Sequence, residues 1–183
     1  IIAGKTKIDI VVTPIVTIVA GGLVSTFVGP YLSQLMTGFG DIINQATQLH
    51  PFPMGITVSV LMGLALTAPI SSAAIAIMLG LDGIAAGAAA VGCAAQMVGF
   101  AVVSFRENKW GGLLSQGIGT SMLQVPNIVK KPIIWLPAIL SSAILGPIGT
   151  MVFHMTNNAT GSGMGTAGLV GQIMTWQTMI VTE

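Results

Sequence analysis

The chain has 183 residues, of which 53% are hydrophobic and 6% are charged, and its formal net charge is +1. A soluble domain is typically about 25% charged, so this composition excludes a soluble domain and predicts an all-α integral membrane protein with several spans. The near-neutral charge also excludes the basic surface of a nucleic-acid-binding protein. The single cysteine, Cys93, lies in an apolar run of small residues and excludes an internal disulfide.

A membrane span and an amphipathic helix are the first predicted elements. Lys5 and Lys7 precede an apolar span at about 8–28, and Gly29-Pro30 is expected to end it because proline lacks the N–H that a helix interior uses. From 31 to 49, apolar residues recur at helical spacing opposite a polar side. This amphipathic helix is expected to lie in the membrane interface, and the alternative is that it lines a wet cavity.

A broken apolar segment comes after the rigid sequence His-Pro-Phe-Pro that begins at His50. Residues 54–81 are apolar throughout, but Ala68-Pro69 divides them into two halves. Each half has about 14 residues, whereas a span needs about 20. The halves predict either one kinked span or a re-entrant hairpin that enters and leaves on one face of the membrane.

Two further spans and a second amphipathic helix come next along the chain. The span at 82–105 is rich in glycine and alanine, which predicts a helix buried inside a bundle because small residues let helices approach closely in lipid. An amphipathic helix is expected at 111–125, a span at 133–153, and a partial span at 166–181. The whole chain is expected to form a single membrane domain and to be one piece of a longer protein.

The distribution of basic residues predicts the orientation of the chain. The loop 106–131 holds four of the six basic residues and is therefore expected on the cytoplasmic side. The lysines near the N-terminus favour the same side for the start of the chain. Two crossings, at 8–28 and 82–105, already connect these two points, so 54–81 is expected to be a hairpin broken at Pro69.

Broken helices mark the candidate substrate site, because irregular backbone at membrane depth survives only inside protein or along a water-filled cavity. The candidate substrate-binding residues are Thr67, Ser71, Ser72, Gln96, His154, Thr156, Asn157 and Asn158. A set of uncharged hydrogen-bonding groups suits a neutral sugar or polyol better than an ion. The alternatives are a plain proline kink for the first three residues, a hydrogen bond between helices for Gln96, and an exposed turn for the polar run after His154.

The two histidines, His50 and His154, each border an apolar run. Each is expected either to lie wet at the membrane interface or to exchange a proton or bind a hydroxyl group in a cavity. The sequence contains no metal-ligand spacing, phosphate-binding loop or hydrolase elbow, so no metal and no cofactor are predicted.

Four stretches carry a resemblance to a known family. They are HPFPMGI from His50, LALTAPISS from Leu64, GIGTSMLQVPNI from Gly117, and the run from His154 to Gln172. Together they resemble the phosphotransferase-system membrane subunit IIC proteins of the group that includes the perfringolysin regulator. The resemblance covers nearly the whole chain.

The resemblance implies a multi-pass protein of the bacterial cytoplasmic membrane that works as a homodimer in the lipid bilayer. Such a subunit binds a sugar near mid-membrane and moves it inward as a separate subunit IIB phosphorylates it. His50 is compared, by its chemistry, with the histidine that such sites often use, which makes it the candidate catalytic residue.

The sequence departs from the family pattern at the acidic residue that better-known sugar-transporting IIC proteins place beside the sugar. Glu107 lies in the basic loop and Glu183 is the last residue, so neither fits that position. The first hypothesis is therefore a sugar permease subunit, and the alternative is a membrane sensor or regulator that binds a small molecule without transporting it. In a third interpretation the polar residues only pair helices, and the protein has no ligand.

Overall fold

The computed structural model describes residues 9–181, and this part of the chain consists of helices and turns without strands. The prediction of an all-helical protein is confirmed for these residues. Lys5, Lys7 and the first residue of the predicted span 8–28 lie outside the described part. The chain forms two compact units, Ile1–Phe39 and Gly40–Glu183.

The helices are numbered in chain order. Within the described residues the α-helices are α1 (Asp9–Thr47), α2 (Pro51–Thr67), α3 (Ser72–Met78), α4 (Gly83–Val103), α5 (Phe105–Leu114), α6 (Val125–Lys130), α7 (Leu136–Pro147), α8 (Ala159–Ser162) and α9 (Val170–Trp176). Shorter 3-10 or π-helical turns cover Ser115–Gly119, Ser121–Gln124, Pro132–Trp135, Ile148–Val152, Ala167–Leu169 and Gln177–Val181. Three stretches of helix are long and apolar enough to cross a membrane: Pro14–Thr47, Gly83–Val103 and Pro132–Val152.

Helix α1 corrects the expected boundary at Gly29-Pro30. The helix runs through both residues without ending, and Pro30 lies inside it. The predicted division into a span at 8–28 and a separate helix at 31–49 is therefore wrong. Proline removes one backbone hydrogen bond, but ending a helix in lipid would leave several polar groups unpaired, so a long apolar segment tolerates an internal proline.

Helices α2 and α3 are separated at Ala68–Ser71, where the sequence places a proline. Ala68 is extended (φ −64°, ψ 158°), as expected for a residue before proline. Ser71 then starts α3, because its side chain accepts a hydrogen bond from the Ala74 N–H at 3.2 Å. Pro69 thus ends helix α2, and Ser71, two residues later, caps the start of helix α3.

Helix α4 is the centre of the second unit and packs against both α2 and α7. Gly92 lies directly on the backbone of Ser59, and a Cβ at Gly63 would lie 2.7 Å from Gln96 Cγ. The second contact lies four residues after the first in both helices, so α2 and α4 are parallel. The Ser142 hydroxyl donates to the Gly92 carbonyl at 3.2 Å, and the Ser142 carbonyl accepts from Ser59 Oγ at 2.8 Å.

Helix α7 runs in the opposite direction to α4. Gly99, late in α4, faces Ala138 near the start of α7, whereas Ser142, one turn further along α7, bonds to the earlier Gly92. The core of the second unit therefore contains three closely packed helices, which approach one another most closely at glycine, alanine and serine residues.

The region 104–135 is less regular than expected. A single amphipathic helix at 111–125 is wrong, because Thr120 is extended (φ −159°, ψ 139°) and divides the segment. The Thr120 side chain accepts from the Met122 N–H at 3.2 Å and so begins a new turn. A side-chain hydroxyl that bonds to a nearby backbone N–H gives the chain an alternative to continuing the helix. Gly117 and Gly119 also lower the helix propensity of this segment.

A second broken segment comes after α7. Asn157 N donates to the Gly83 carbonyl at the start of α4 at 3.2 Å, and Gly165 lies against Cys93 in the middle of α4. Gly171 in α9 packs back on Gly165, and Asn157 bonds to Thr175 at 3.0 Å. The chain thus runs along α4 from its first residue to its middle and returns through α9.

Candidate functional site

Two turns of the chain meet beside the middle of α4. The first turn is Ala68–Ser71 and the second is Gly163–Leu169. Ser72 Oγ donates to the buried Gly163 carbonyl at 2.7 Å and so joins them across 91 positions of sequence. The second turn also contacts α4 through Thr166 Oγ1, which bonds to Met97 Sδ at 3.4 Å. Gly163 and Gly165 of the second turn are buried inside the protein beside the centre of an apolar helix, whereas Pro69 and Ser71 of the first turn are exposed.

A cluster of four polar side chains lies next to the first turn. We call it the glutamine cluster: Thr67, Gln96, Ser121 and Trp135. Gln96 Oε1 accepts from Trp135 Nε1 at 3.1 Å and from Thr67 Oγ1 at 3.4 Å. Thr67 Oγ1 is also 2.9 Å from Ser121 Oγ. Thr67, Gln96 and Ser121 have no exposed surface.

Gln96 Nε2 differs from the other polar atoms of this cluster. Among the side chains that the structure describes, it is the one buried nitrogen or oxygen that has no hydrogen-bond partner. A buried donor without a partner costs about 1–3 kcal/mol, so such a group needs an explanation. The helix-pairing interpretation of Gln96 accounts for its oxygen but not for its nitrogen.

Asn157 and Asn158 hold the second turn in place. Asn157 is fully buried and donates to the Gly171 carbonyl at 3.2 Å, which rules out an exposed turn for this residue. Asn158 caps α8 by accepting from the Gly161 N–H at 2.9 Å. Both amides are engaged with the protein, and Thr156 beside them is half-buried.

None of the hydrogen bonds described for the glutamine cluster involves the two histidines or Ser71. His50 is exposed and immediately precedes α2, whereas Thr67 is the last residue of that helix. At 1.5 Å per residue, they are separated by about 25 Å along the axis. His154 is exposed with a left-handed backbone (φ 45°). Ser71 is exposed and caps α3. The sequence-predicted residues that come together are therefore Thr67 with Gln96, and Ser72 with the second turn.

Sequence reasoning missed Ser121 and Trp135. Ser121 has one signal in the sequence, its place in the GIGTSMLQVPNI stretch that carries the family resemblance. Trp135 has another, its place at the start of the predicted span 133–153. Neither signal indicates proximity to Gln96, because that depends on how the irregular region 115–135 folds back over α4.

A cavity of about 490 Å³ lies at the C-terminal end of α4. Its charged and polar lining includes Lys130, Lys131, Glu107 and Gln124, and its apolar lining includes Phe100. Gln124 and Asn127 belong to a chain of amide hydrogen bonds of 2.9 Å each. Phe100 comes one helical turn after Gln96, so this cavity and the glutamine cluster lie on neighbouring turns of α4.

The family model of the phosphotransferase system, EIIC, matches the chain over residues 1–183. The chain belongs to the phosphotransferase system EIIC family. No curated protein and no solved structure matches it. Membership of the EIIC family indicates a membrane component of sugar transport, and it implies a sugar substrate, a IIB partner subunit and a lipid bilayer.

Among the described residues of this EIIC protein, no three His, Cys, Asp or Glu side chains are grouped as a metal site requires. Glu107 is exposed on α5, and Glu183 lies outside the described residues. The acidic residue that better-known IIC proteins place beside the sugar is therefore not among the side chains of the glutamine cluster.

Proposed function

We propose that this EIIC protein is the sugar permease subunit of a bacterial phosphoenolpyruvate-dependent phosphotransferase system. The observation that carries the proposal is the meeting of the two turns, Ala68–Ser71 and Gly163–Leu169, through the Ser72–Gly163 hydrogen bond beside the middle of α4. Transporters place substrate sites near the bilayer midplane, where broken helices free backbone groups for binding. The uncharged polar groups around these turns suit sugar hydroxyls.

Both broken segments are proposed to be re-entrant hairpins. Helices α2 and α4 are parallel, so the chain between them has to return across the distance that α2 covers. The second segment likewise begins beside Gly83 and returns after Gly165. Two consecutive helices that are joined by a short connection can be parallel in a bilayer only if that connection re-enters the membrane.

The basic residues support one orientation for this arrangement. If the loop 106–131 is cytoplasmic, the end of α4 is cytoplasmic and its start lies at the outer face of the inner membrane. Both hairpins then open from the outer face, and their turns point toward the cytoplasm. The cavity lined by Lys130, Lys131 and Glu107 then faces the compartment from which a IIB subunit delivers the phosphoryl group.

His50 lies at the outer end of α2 in this orientation. A phosphoryl group delivered from the cytoplasm would not reach it, because about 25 Å of helix separates it from Thr67. We therefore place sugar binding at the two turns, and the catalytic role of His50 stays a prediction. Assembly of the protein as a homodimer is proposed from the family resemblance alone.

A membrane sensor that binds a sugar without transporting it is the second candidate. It is favoured by one observation: Glu107, the one glutamate among the described residues, lies on α5 and lines the cavity at the end of α4 instead of either turn. A IIC subunit without an acidic residue at the sugar would lack the usual base for phosphoryl transfer.

Inverted inner-membrane vesicles that carry the full-length protein test the proposal. With the soluble phosphotransferase components and a IIB subunit supplied, we expect phosphoenolpyruvate-dependent phosphorylation of at least one sugar from a panel. The His50→Ala variant is measured beside the wild type. Loss of activity in that variant would show that His50 takes part in sugar phosphorylation. Absence of phosphorylation of any sugar by folded wild-type protein would favour the sensor.

A further inference from the structure

The side-chain amide of Gln96 has a fixed orientation. The Trp135 indole N–H is a donor only and lies 3.1 Å from Gln96 Oε1, so the atom facing it has to be the oxygen. Exchanging oxygen and nitrogen would place two donors against each other. Trp135 therefore directs both N–H groups of Gln96 away from itself, and neither meets an acceptor among the described residues.

The packing around Gln96 holds its side chain in one position. Gly63 lies opposite it on α2, and any side chain there would collide with Gln96 Cγ at 2.7 Å. Its neighbours come from two separate parts of the chain: Thr67 ends α2, and Ser121 and Trp135 lie in the irregular region 115–135. A displacement of the irregular region would uncover the Gln96 amide and the two hydroxyls together.

We propose that Gln96 Nε2 is the hydrogen-bond donor that binds an oxygen of the transported or sensed sugar, with Trp135 as the residue that positions the amide. This inference rests on the proposed sugar-binding function and names the residue that carries it. The free donor satisfies its hydrogen-bonding requirement when the ligand is bound.

The chemistry of the cluster specifies an uncharged ligand. Thr67, Gln96, Ser121 and Trp135 supply hydroxyl, amide and indole groups, none of which ionises in the physiological range. A site of this composition pairs with hydroxyl or ring oxygens and offers no counter-charge to a phosphate or an ammonium group. Binding is therefore expected to precede phosphorylation and to discriminate against the phosphorylated sugar.

Binding to the purified full-length protein in lipid nanodiscs tests the inference directly. Equilibrium dialysis is carried out with radiolabelled glucose, mannose, galactose, N-acetylglucosamine and mannitol. For the sugar that binds wild type, Gln96→Met is expected to weaken affinity about 10- to 100-fold, the loss of one buried hydrogen bond. Gln116→Met is the matched control, because Gln116 is also buried but its Nε2 already donates to Ser104 Oγ at 2.9 Å.

Monodeoxy analogues of that sugar identify the bonded oxygen. One analogue should lose affinity with wild type but lose nothing more with Gln96→Met, because both changes remove the same bond. Equal affinity of wild type and Gln96→Met would overturn the inference while leaving sugar binding intact. Failure of wild type to bind any sugar of the panel would overturn the proposed function and this inference together.

A measurement on wild type covers the case in which Gln96→Met does not fold. With glutamine labelled by ¹⁵N in the side chain, the Gln96 NH₂ resonances, assigned by their loss in Gln96→Glu, should shift when the sugar is added. Saturating sugar that leaves the Gln96 resonances unmoved would contradict the inference.

Discussion

At the scale of single residues, Gly92 sets the distance between α2 and α4. The backbone of Ser59 occupies the place that a Cβ at Gly92 would take. Gly92→Ala is therefore expected to push the two helices apart and to destabilise the protein by about 1–3 kcal/mol or more. Thermal unfolding in detergent measures the effect. Gly21→Ala is the control, since nothing lies within 4 Å of its new methyl group, and an equal loss in both variants would contradict the packing argument.

Ser72 tests the contact between the two turns. Ser72→Ala removes the donor to the buried Gly163 carbonyl and should destabilise the protein by about 1–3 kcal/mol, because that carbonyl stays buried without its partner. Sugar binding should weaken as well. Ser115→Ala removes a hydroxyl that bonds to the Gly111 carbonyl four residues earlier at an exposed position, so its effect should stay within about 0.5 kcal/mol. Comparable losses for the two alanine variants would argue against a special contact at the turns.

At the scale of elements, Thr67 and Ser121 report how the irregular region docks on the end of α2. Their side-chain oxygens are 2.9 Å apart, so cysteines at both positions would bring two sulfur atoms close to each other. In a Cys93→Ser background, Thr67→Cys with Ser121→Cys is expected to cross-link on mild oxidation, as seen by a mobility shift on non-reducing gels. Thr67→Cys with Thr150→Cys is the control, because Thr150 bonds to Pro51 at the opposite end of α2. Cross-linking of the control pair alone would refute this docking.

The two internal prolines show how far the sequence could predict the elements. The break at Pro69 was predictable, because a proline divides an apolar segment that is too short to span twice and Ser71 caps the helix after it. The continuation of α1 through Pro30 was not, because the cost of ending a helix depends on its surroundings and not on its sequence alone. The interruption at Thr120 was likewise missed, since helical spacing of apolar residues continues across it.

The candidate site was predictable only in part, for the same physical reason. Gln96 stands out in the sequence as an amide in the middle of an apolar span, which needs a partner in lipid. Its partner Trp135 is 39 positions away along the chain, and Ser121, which bonds to Thr67 in the same cluster, is 25 positions away. Their proximity results from tertiary packing. Asn157 and Asn158 have the hydrogen-bonding capacity that a sugar site needs, but most of that capacity is used to hold the second turn together.

At the scale of the whole molecule, the proposed orientation predicts which residues meet which side of the membrane. With α2 and α4 parallel and the basic loop inside, His50 lies at the outer face and Lys131 at the cytoplasmic face. In a Cys93→Ser background, His50→Cys should react with a membrane-impermeant maleimide in intact cells, because His50 is exposed at the start of α2. Lys131→Cys, also exposed, should react only after the membrane is permeabilised. If both cysteines react from the same side, α2 and its connection cross the membrane differently, and 54–81 forms a plain span rather than a re-entrant hairpin.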